Sequence, residues 1–92
     1  MRIVNKMNNK VLIELYVPSI DTSFDLFIPV NEVIWKIISL AFSGCLELSG
    51  LSASQNRKFA LVNKHTNEIY SMNSTIYESN IRNGTELILL IM

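Results

Sequence analysis

The sequence has few of the residues on which metal and catalytic sites depend. Its 92 residues include one cysteine, Cys45, and one histidine, His65. A lone cysteine forms no disulfide within the chain, which excludes a secreted scaffold held by disulfides. A metal needs several ligands and a catalytic histidine needs a nucleophile or acid–base partner, whereas the eight carboxylates are scattered along the chain. We therefore predict no enzymatic activity, no metal and no cofactor.

The sequence also lacks a surplus of charge and a long apolar run. Eight basic and eight acidic side chains cancel, whereas nucleic acids and anionic membranes attract concentrated positive charge. The longest apolar run, at 87–92, is far shorter than the ~20 residues of a membrane-spanning helix. The first residues lack the apolar segment of a signal peptide. We expect a cytoplasmic protein that neither binds nucleic acid nor inserts into a membrane.

The sequence does contain two runs in which apolar and polar residues alternate. Alternate residues of the first run fall on one side of a predicted strand: Val11, Ile13, Leu15 and Val17. A second run, at 24–28, has the same period, and a short polar turn separates the two. Alternating runs joined in this way are typical of a β-hairpin.

A helix is predicted to follow the hairpin. Pro29 ends the second strand because it has no N–H to donate. Asn31 is placed to cap the helix, with Glu32 in its first turn. Apolar residues then recur with the spacing of one helix face, at Ile34, Ile37, Ile38 and Ala41. Gly44 is expected to end the helix after about three turns.

The second half of the chain contains a long connection and three more predicted strands. Residues 43–56 form the connection and are followed by the third strand. A short strand at 68–70, an irregular segment with Ile76 and Ile81 buried, and an apolar strand at 86–92 complete the domain. In the order ββαβββ the last strand lies parallel to the first, covered by the helix. We predict an α+β fold of the β-grasp type, a mixed sheet packed on one helix.

Three stretches resemble ubiquitin-like proteins. Residues 75–90 have the spacing of ubiquitin's short helical turn, buried isoleucine and last strand. Residues 24–38 and the turn at 81–87 are similar to the small bacterial YukD/EsaB family, which accompanies type VII secretion systems. The resemblance covers about residues 10–92. It implies a ubiquitin-like β-grasp in a cytosolic, non-enzymatic accessory or regulatory protein, with components of the secretion machine as its protein partners.

The two ends of the sequence carry separate expectations. Residues 1–9 are expected to form a flexible leader before a ubiquitin-like domain at 10–92, and Met1 and Met7 are both candidate starts. Conjugation and sulfur transfer by ubiquitin-like proteins use a flexible tail that ends in Gly-Gly. The sequence here ends in strand residues, 89–92, so we expect a protein that is not conjugated.

The outer face of the predicted sheet carries the candidate binding site. If Leu87 and Leu89 face the helix, the alternate residues of that strand face away from it. A sheet face open to water is normally polar, and a large apolar patch indicates an interaction site. Strands one, three and five are predicted to present one contiguous protein-binding surface: Leu12, Tyr16, Ala60, Val62, Ile88, Leu90 and Met92.

The sequence leaves three alternatives open. The connection at 43–56 could fold over the outer face and hide it. The same face could instead form a homodimer, as a structural or regulatory subunit of another cytosolic assembly. Trp35 either covers the boundary between helix and sheet or is an exposed anchor for a partner. Cys45 and His65 are interpreted as a partly buried apolar residue and a solvated turn residue.

Overall fold

The hairpin forms as predicted. The computed structural model describes residues 9–49 and 58–92, and the side chains of 9–43 and 58–92. The predicted leader, up to residue 8, lies outside the described residues. Strand β1 (Lys10–Val17) and strand β2 (Thr22–Pro29) are antiparallel, and a 3-10 turn at Pro18–Ile20 joins them.

In the described part of the chain, the sheet has four strands and one helix packs against it. Helix α1 spans Ile34–Ser49, strand β3 spans Phe59–Asn63 and strand β4 spans Glu86–Ile91. The strand order is β2-β1-β4-β3, with β4 parallel to β1 and antiparallel to β3. A central strand with neighbours on both sides explains the apolar sequence of β4. The arrangement confirms the predicted β-grasp.

The hydrophobic core lies between α1 and one face of the sheet. Leu87 and Leu89, the inward residues of β4, are at most 1% exposed, as predicted. Phe42 of α1 packs edge to face against Phe59 of β3, with ring centroids 4.9 Å apart. Ile91 is partly buried at the margin of this core. The apolar helix face is also confirmed, because its residues are buried: Ile34, Ile37 and Ile38.

The helix begins at Ile34, so the predicted cap at Asn31 is wrong. The backbone N–H of Ile34 donates to the carbonyl of Ser74 at 2.9 Å. A carbonyl from a distant loop therefore satisfies a donor that a side-chain cap would otherwise satisfy. Glu32 lies before the helix instead of inside its first turn, and it forms an ion pair with Lys36 at 3.5 Å.

The helix also ends later than predicted, at Ser49 instead of Gly44. Glycine inside a helix costs only about 1 kcal/mol relative to alanine. The residues that follow Gly44 include strong helix formers, Leu46, Glu47 and Leu48. Their preference outweighs the cost of one glycine, so the helix takes up the first part of the predicted connection.

The predicted fourth strand at 68–70 is reduced to a single bridge between Ile69 and Val62. The N–H of Tyr70 also donates to the carbonyl of Leu61 at 3.0 Å, so the segment lies along the edge of β3. The pairing stops there because the next residues turn towards the start of α1, where their carbonyls bond to the helix.

A buried polar network fixes this segment. Asn63 is 8% exposed, and its side-chain amide donates to the hydroxyl of Tyr70 at 3.0 Å. That hydroxyl donates in turn to the side-chain oxygen of Asn80 at 2.6 Å. The side-chain oxygen of Asn63 accepts from the backbone N–H groups of His65 and Thr66. Buried polar atoms with partners cost little free energy, so the network is compatible with the core.

The irregular segment at 71–84 is anchored as predicted. Ile76 and Ile81 are both almost fully buried. The segment ends in a turn where Gly84 has a φ of +87°, a conformation that glycine adopts without steric cost. The N–H of Gly84 donates to the carbonyl of Leu12 at 2.8 Å, which fastens this turn to the start of β1.

Candidate protein-binding surface

The side of the sheet that points away from α1, hereafter the outer face, carries the predicted binding residues. Tyr16 of β1 is paired with Ile88 of β4, and Ile88 with Val62 of β3. Ala60 is paired with Leu90 in the same sheet. Residues directly opposite each other on neighbouring strands have Cβ atoms about 5 Å apart. The structure therefore brings these five predicted residues side by side.

Ile69 is a further apolar residue of this surface, and it was not among the residues predicted from the sequence. Its bridge places it directly opposite Val62 on the outer face, and it is 69% exposed. Its neighbour Tyr70 is buried in the core, and consecutive residues of an extended segment point to opposite sides. The sequence itself does not show which of these two neighbours is buried, and the burial of Tyr70 in the structure places Ile69 on the outer face.

Together these residues form what we call the apolar strip. Leu90 is 37% exposed and Met92, the next outward residue of the chain, is 64% exposed. The members that lie between neighbouring strands are half-buried. Contiguous apolar exposure of this kind marks an interaction site. The strip consists of Tyr16, Ala60, Val62, Ile69, Ile88, Leu90 and Met92.

A hydrogen bond holds Tyr16 at one margin of the apolar strip. Its hydroxyl donates to the carboxylate of Asp21 at 2.7 Å. This hydrogen bond, with lesser contributions from local burial and the negative charge of Asp21, raises the pKa of Tyr16 above its usual value. The phenol therefore stays neutral and presents an apolar ring with a polar rim.

Leu12 is not part of the apolar strip, because a row of carboxylates separates them. Glu14 is the next outward residue of β1 after Leu12, and it is paired with Asp25 of β2 and with Glu86 of β4. Leu12 is paired instead with Phe27, which is 69% exposed. The contiguous surface predicted from sequence is thus divided into a long strip and a smaller apolar pair.

Among the described side chains, basic groups reach Glu86 but neither of the other two carboxylates in that row. Glu86 forms an ion pair with Lys64 at 3.4 Å, and its carboxylate is hydrogen-bonded to the ring Nε2 of His65 at 3.0 Å. The hydrogen bond from His65, followed by that from Lys64, lowers the pKa of Glu86. His65 is exposed at the protein surface, as expected for a turn residue. A depression of about 400 Å³ lies here, lined by Glu14, Glu86 and Ile88 among others.

Two other expectations concern the helix and the connection after it. Trp35 is 51% exposed, so half of its surface is available to a partner. The side chain of Cys45 and residues 50–57 lie outside the described residues. The alternative in which the 43–56 connection covers the outer face therefore also falls outside them.

The described side chains offer no metal site. They contain no group of three or more His, Cys, Asp or Glu residues placed to hold an ion. His65 and Glu86 form a pair only, which is too few ligands for a protein metal site. Nor does any helix in the described ranges have the length and apolar character needed to cross a membrane.

Comparison with known proteins finds similarity at the level of structure. No protein-family model and no curated protein matches the chain. The EccD5 ubiquitin-like domain from Mycobacterium xenopi superposes with a TM-score of 0.70 at 15% identity, over 90% of this chain and 94% of that one. A chain of the toluene 4-monooxygenase HD complex with the inhibitor 4-bromobenzoate gives 0.74 at 10% identity, over 90% and 99%.

A third similar structure is a chain of the MycP5-free ESX-5 inner membrane complex. It has a TM-score of 0.67 at 12% identity, and the match covers 91% of this chain but 21% of that one. At such identities the likeness shows the fold alone. The chain has the ubiquitin-like β-grasp fold.

Proposed function

We propose that the protein is a non-conjugating ubiquitin-like protein that binds protein partners through the apolar strip. The observation that carries this proposal is the set of neighbouring apolar side chains on the outer face. A sheet face left to water is normally polar, and here Leu90, Met92 and Ile69 are 37% to 69% exposed. Covering them with a partner removes apolar surface from water, which favours association.

We assign this binding to a bacterial type VII secretion system, in which the protein is a cytoplasmic accessory or regulatory component. Two observations support the assignment. Residues 24–38 and 81–87 resemble the YukD/EsaB family, and the fold is similar to the EccD5 ubiquitin-like domain and to a chain of an ESX-5 inner membrane complex. Under this proposal the partners are components of the secretion machine, and the protein needs no cofactor.

The free energy available from the apolar strip suits reversible binding. A large apolar side chain contributes roughly 1.5–3 kcal/mol when it is fully buried. The strip members are already partly covered by their neighbours, so each adds less than this on binding. Association also costs several kcal/mol of translational and rotational freedom. We therefore expect moderate affinity and a reversible complex.

The test is to place a charge in the apolar strip and measure partner capture. Leu90→Asp and Ile69→Asp change positions exposed enough for the fold to tolerate the substitution. Tagged protein is used to capture partners from the native cell, and mass spectrometry quantifies secretion-machine components. We expect each variant to lose at least about ten-fold of this capture, because a buried unpaired carboxylate opposes binding.

The matched control is Tyr77→Asp, which introduces the same charge at a 73% exposed position outside the strip. It should capture partners as the wild type does. Circular dichroism establishes that all three variants are folded. Undiminished capture of the same components by folded Leu90→Asp would refute the proposal.

A homodimer that buries the apolar strip is the competing function. Light scattering at micromolar concentration distinguishes the two, since a stable dimer has twice the 10.5 kDa mass of the chain. We expect the monomer mass. A dimer mass that reverts to monomer in Leu90→Asp would assign the strip to self-association.

A further inference from the structure

An apolar groove runs along the side of β2 that faces α1. Two neighbouring hollows of about 190 and 120 Å³ lie between the strand and the helix. Leu26, Leu40 and Ala41 line both hollows. Leu40 is 67% exposed, although it lies beside a well-packed core. A large leucine left open next to a hollow is a site that another apolar side chain can fill.

No described residue pairs with the backbone of β2 along its free edge, beside this groove. The N–H of Val30 donates to the carbonyl of Asn9 at 2.8 Å, so the backbone groups of Val30 point towards β1. Along an antiparallel pair of strands, residues that point towards the partner strand alternate with residues that point away from it. Every second residue of β2 therefore directs its backbone groups away from β1: Ser23, Asp25 and Phe27. No other backbone group within the described residues bonds to them. These groups form a template on which an extended chain can pair.

The charge beside this open edge is negative. Asp25 is exposed and lies directly opposite Glu14, and like charges at opposed positions repel. Asp21, at the start of the same strand, is also exposed. Neither Asp25 nor Glu14 has an ion-pair partner among the described side chains. A chain that pairs with β2 would gain from placing a basic side chain here.

We propose that the groove binds an extended peptide segment of a partner protein, which adds to the sheet beside β2. Successive residues of the added strand point to opposite sides of the sheet. One set enters the groove against Leu26 and Leu40 and is apolar. The other set lies on the outer face next to Asp25 and is lysine or arginine. The ligand is therefore a segment in which apolar and basic residues alternate.

A second copy of this chain is a poor occupant of the same edge. Pairing of two β2 strands would bring Asp25 and Glu14 of both copies onto one face, where their charges repel. The open edge is thus selective for a basic partner. The groove lies at the β2 edge, on the side of the sheet that faces α1, whereas the apolar strip lies on the outer face of β1, β3 and β4, so the two proposals stand separately.

The test uses the full chain and a synthetic peptide of about eight residues in which valine alternates with lysine, blocked at both ends. We expect binding that protects the amides of Ser23, Asp25 and Phe27 from hydrogen exchange. Leu40→Gln keeps a good helix former and should weaken the peptide about ten-fold, through loss of the apolar contact. Asp25→Lys should weaken it about three- to five-fold.

The charge assignment is tested with a second peptide in which glutamate replaces lysine. Asp25→Lys should bind this peptide more tightly than the wild type does. Leu90→Asp, which breaks the apolar strip, should leave the affinity for the lysine peptide unchanged. No binding of the lysine peptide at about 1 mM, or binding that Leu40→Gln does not weaken, would overturn the proposal.

Discussion

The two edges of the sheet differ in how far the chain itself covers them. Along β3, the N–H of Asn63 donates to the carbonyl of Glu68 at 2.9 Å, and Ile69 bridges to Val62. A buried network then locks this segment through the hydroxyl of Tyr70. Along β2, no described residue pairs with the outward backbone groups. The β3 edge is thus covered by a segment that buried hydrogen bonds hold in place, and within the described residues the β2 edge has no such segment.

The open edge is protected in a different way. Proteins limit unwanted pairing of an exposed edge with prolines and charged side chains. Pro29 removes one donor at the end of β2, and Asp25 places a charge at its middle. The negative charge favours a basic partner strand and opposes pairing between two copies of the chain. The β3 edge is therefore covered by another segment of the chain, whereas pairing at the β2 edge is limited by a proline and a charged side chain.

The largest expected effect on this contrast comes from Tyr70→Ala. The ring is 5% exposed and its hydroxyl bonds two asparagines. We expect the free energy of unfolding to fall by about 3 kcal/mol, measured by urea denaturation. The control is Ile69→Ala in the same segment, which changes an exposed side chain and should cost less than about 0.5 kcal/mol. Equal losses would show that Tyr70 does not anchor the closed edge.

A smaller loss is expected for Asn63→Ala. The substitution removes partners from the hydroxyl of Tyr70 and from the backbone N–H groups of His65 and Thr66. The Tyr70 hydroxyl keeps its bond to Asn80, but the loss of these three hydrogen bonds should lower the free energy of unfolding by about 2 kcal/mol. Hydrogen exchange reads the local effect: the amides of His65 and Thr66 should exchange faster while those of β1 keep their relative protection. Unchanged exchange at these two amides would contradict the assigned role.

At the open edge, Asp25→Lys is expected to stabilise the fold. It replaces repulsion with attraction opposite Glu14, which should add about 0.5 kcal/mol at low salt. Asp25→Asn, which removes only the repulsion, should give a smaller gain. Both gains should shrink on addition of salt, because exposed charges are screened. A loss of stability in Asp25→Lys would mean that Asp25 supports β2 in another way.

The smallest expected effect is on stability at acid pH, through Glu86 of the central strand β4. His65 and Lys64 lower the pKa of Glu86 in the folded state. The contacts of the Glu86 carboxylate with His65 and Lys64 therefore stabilise the fold above the pKa of the unfolded carboxyl, about 4.3. This contribution is lost as pH falls through the lower folded value. Glu86→Gln should flatten the acid dependence of the unfolding free energy slightly, since exposed pairs contribute little. An unchanged dependence of the unfolding free energy on pH would show that Glu86 does not contribute to acid sensitivity.

The sequence predicts the elements whose period is strong. Alternation identifies β1, β2 and the inward residues Leu87 and Leu89, and helical spacing identifies Ile34, Ile37 and Ile38. These positions follow from local period alone. The start and end of α1 do not, because Ser74 supplies the bond that Asn31 was expected to supply. Such a contact depends on the tertiary fold and has no local signal.

The sequence predicted which side chains of the candidate surface face away from the helix, but not which of them form one contiguous patch. Alternation places Ile88 and Leu90 on the outer face. Whether Leu12 joins them depends on cross-strand register, which brings Asp25 and Glu86 beside Glu14. Register between distant strands is set by the folded structure, so the dividing row of carboxylates emerges only there. The apolar strip as a binding site stays a prediction.

The contact of the Gly84 turn with Leu12 has a consequence for how the chain reaches its fold. The side chain of Asn83 accepts the N–H of Leu12 at 2.8 Å across a separation of 71 residues. The first turn of α1 likewise depends on a carbonyl of Met72, which bonds to the N–H of Trp35. Neither the sheet nor the helix start is complete until late segments arrive, and such non-local pairing slows folding. During synthesis the hairpin and the helix are therefore made before the residues that complete their hydrogen bonding, at 72–84, are available.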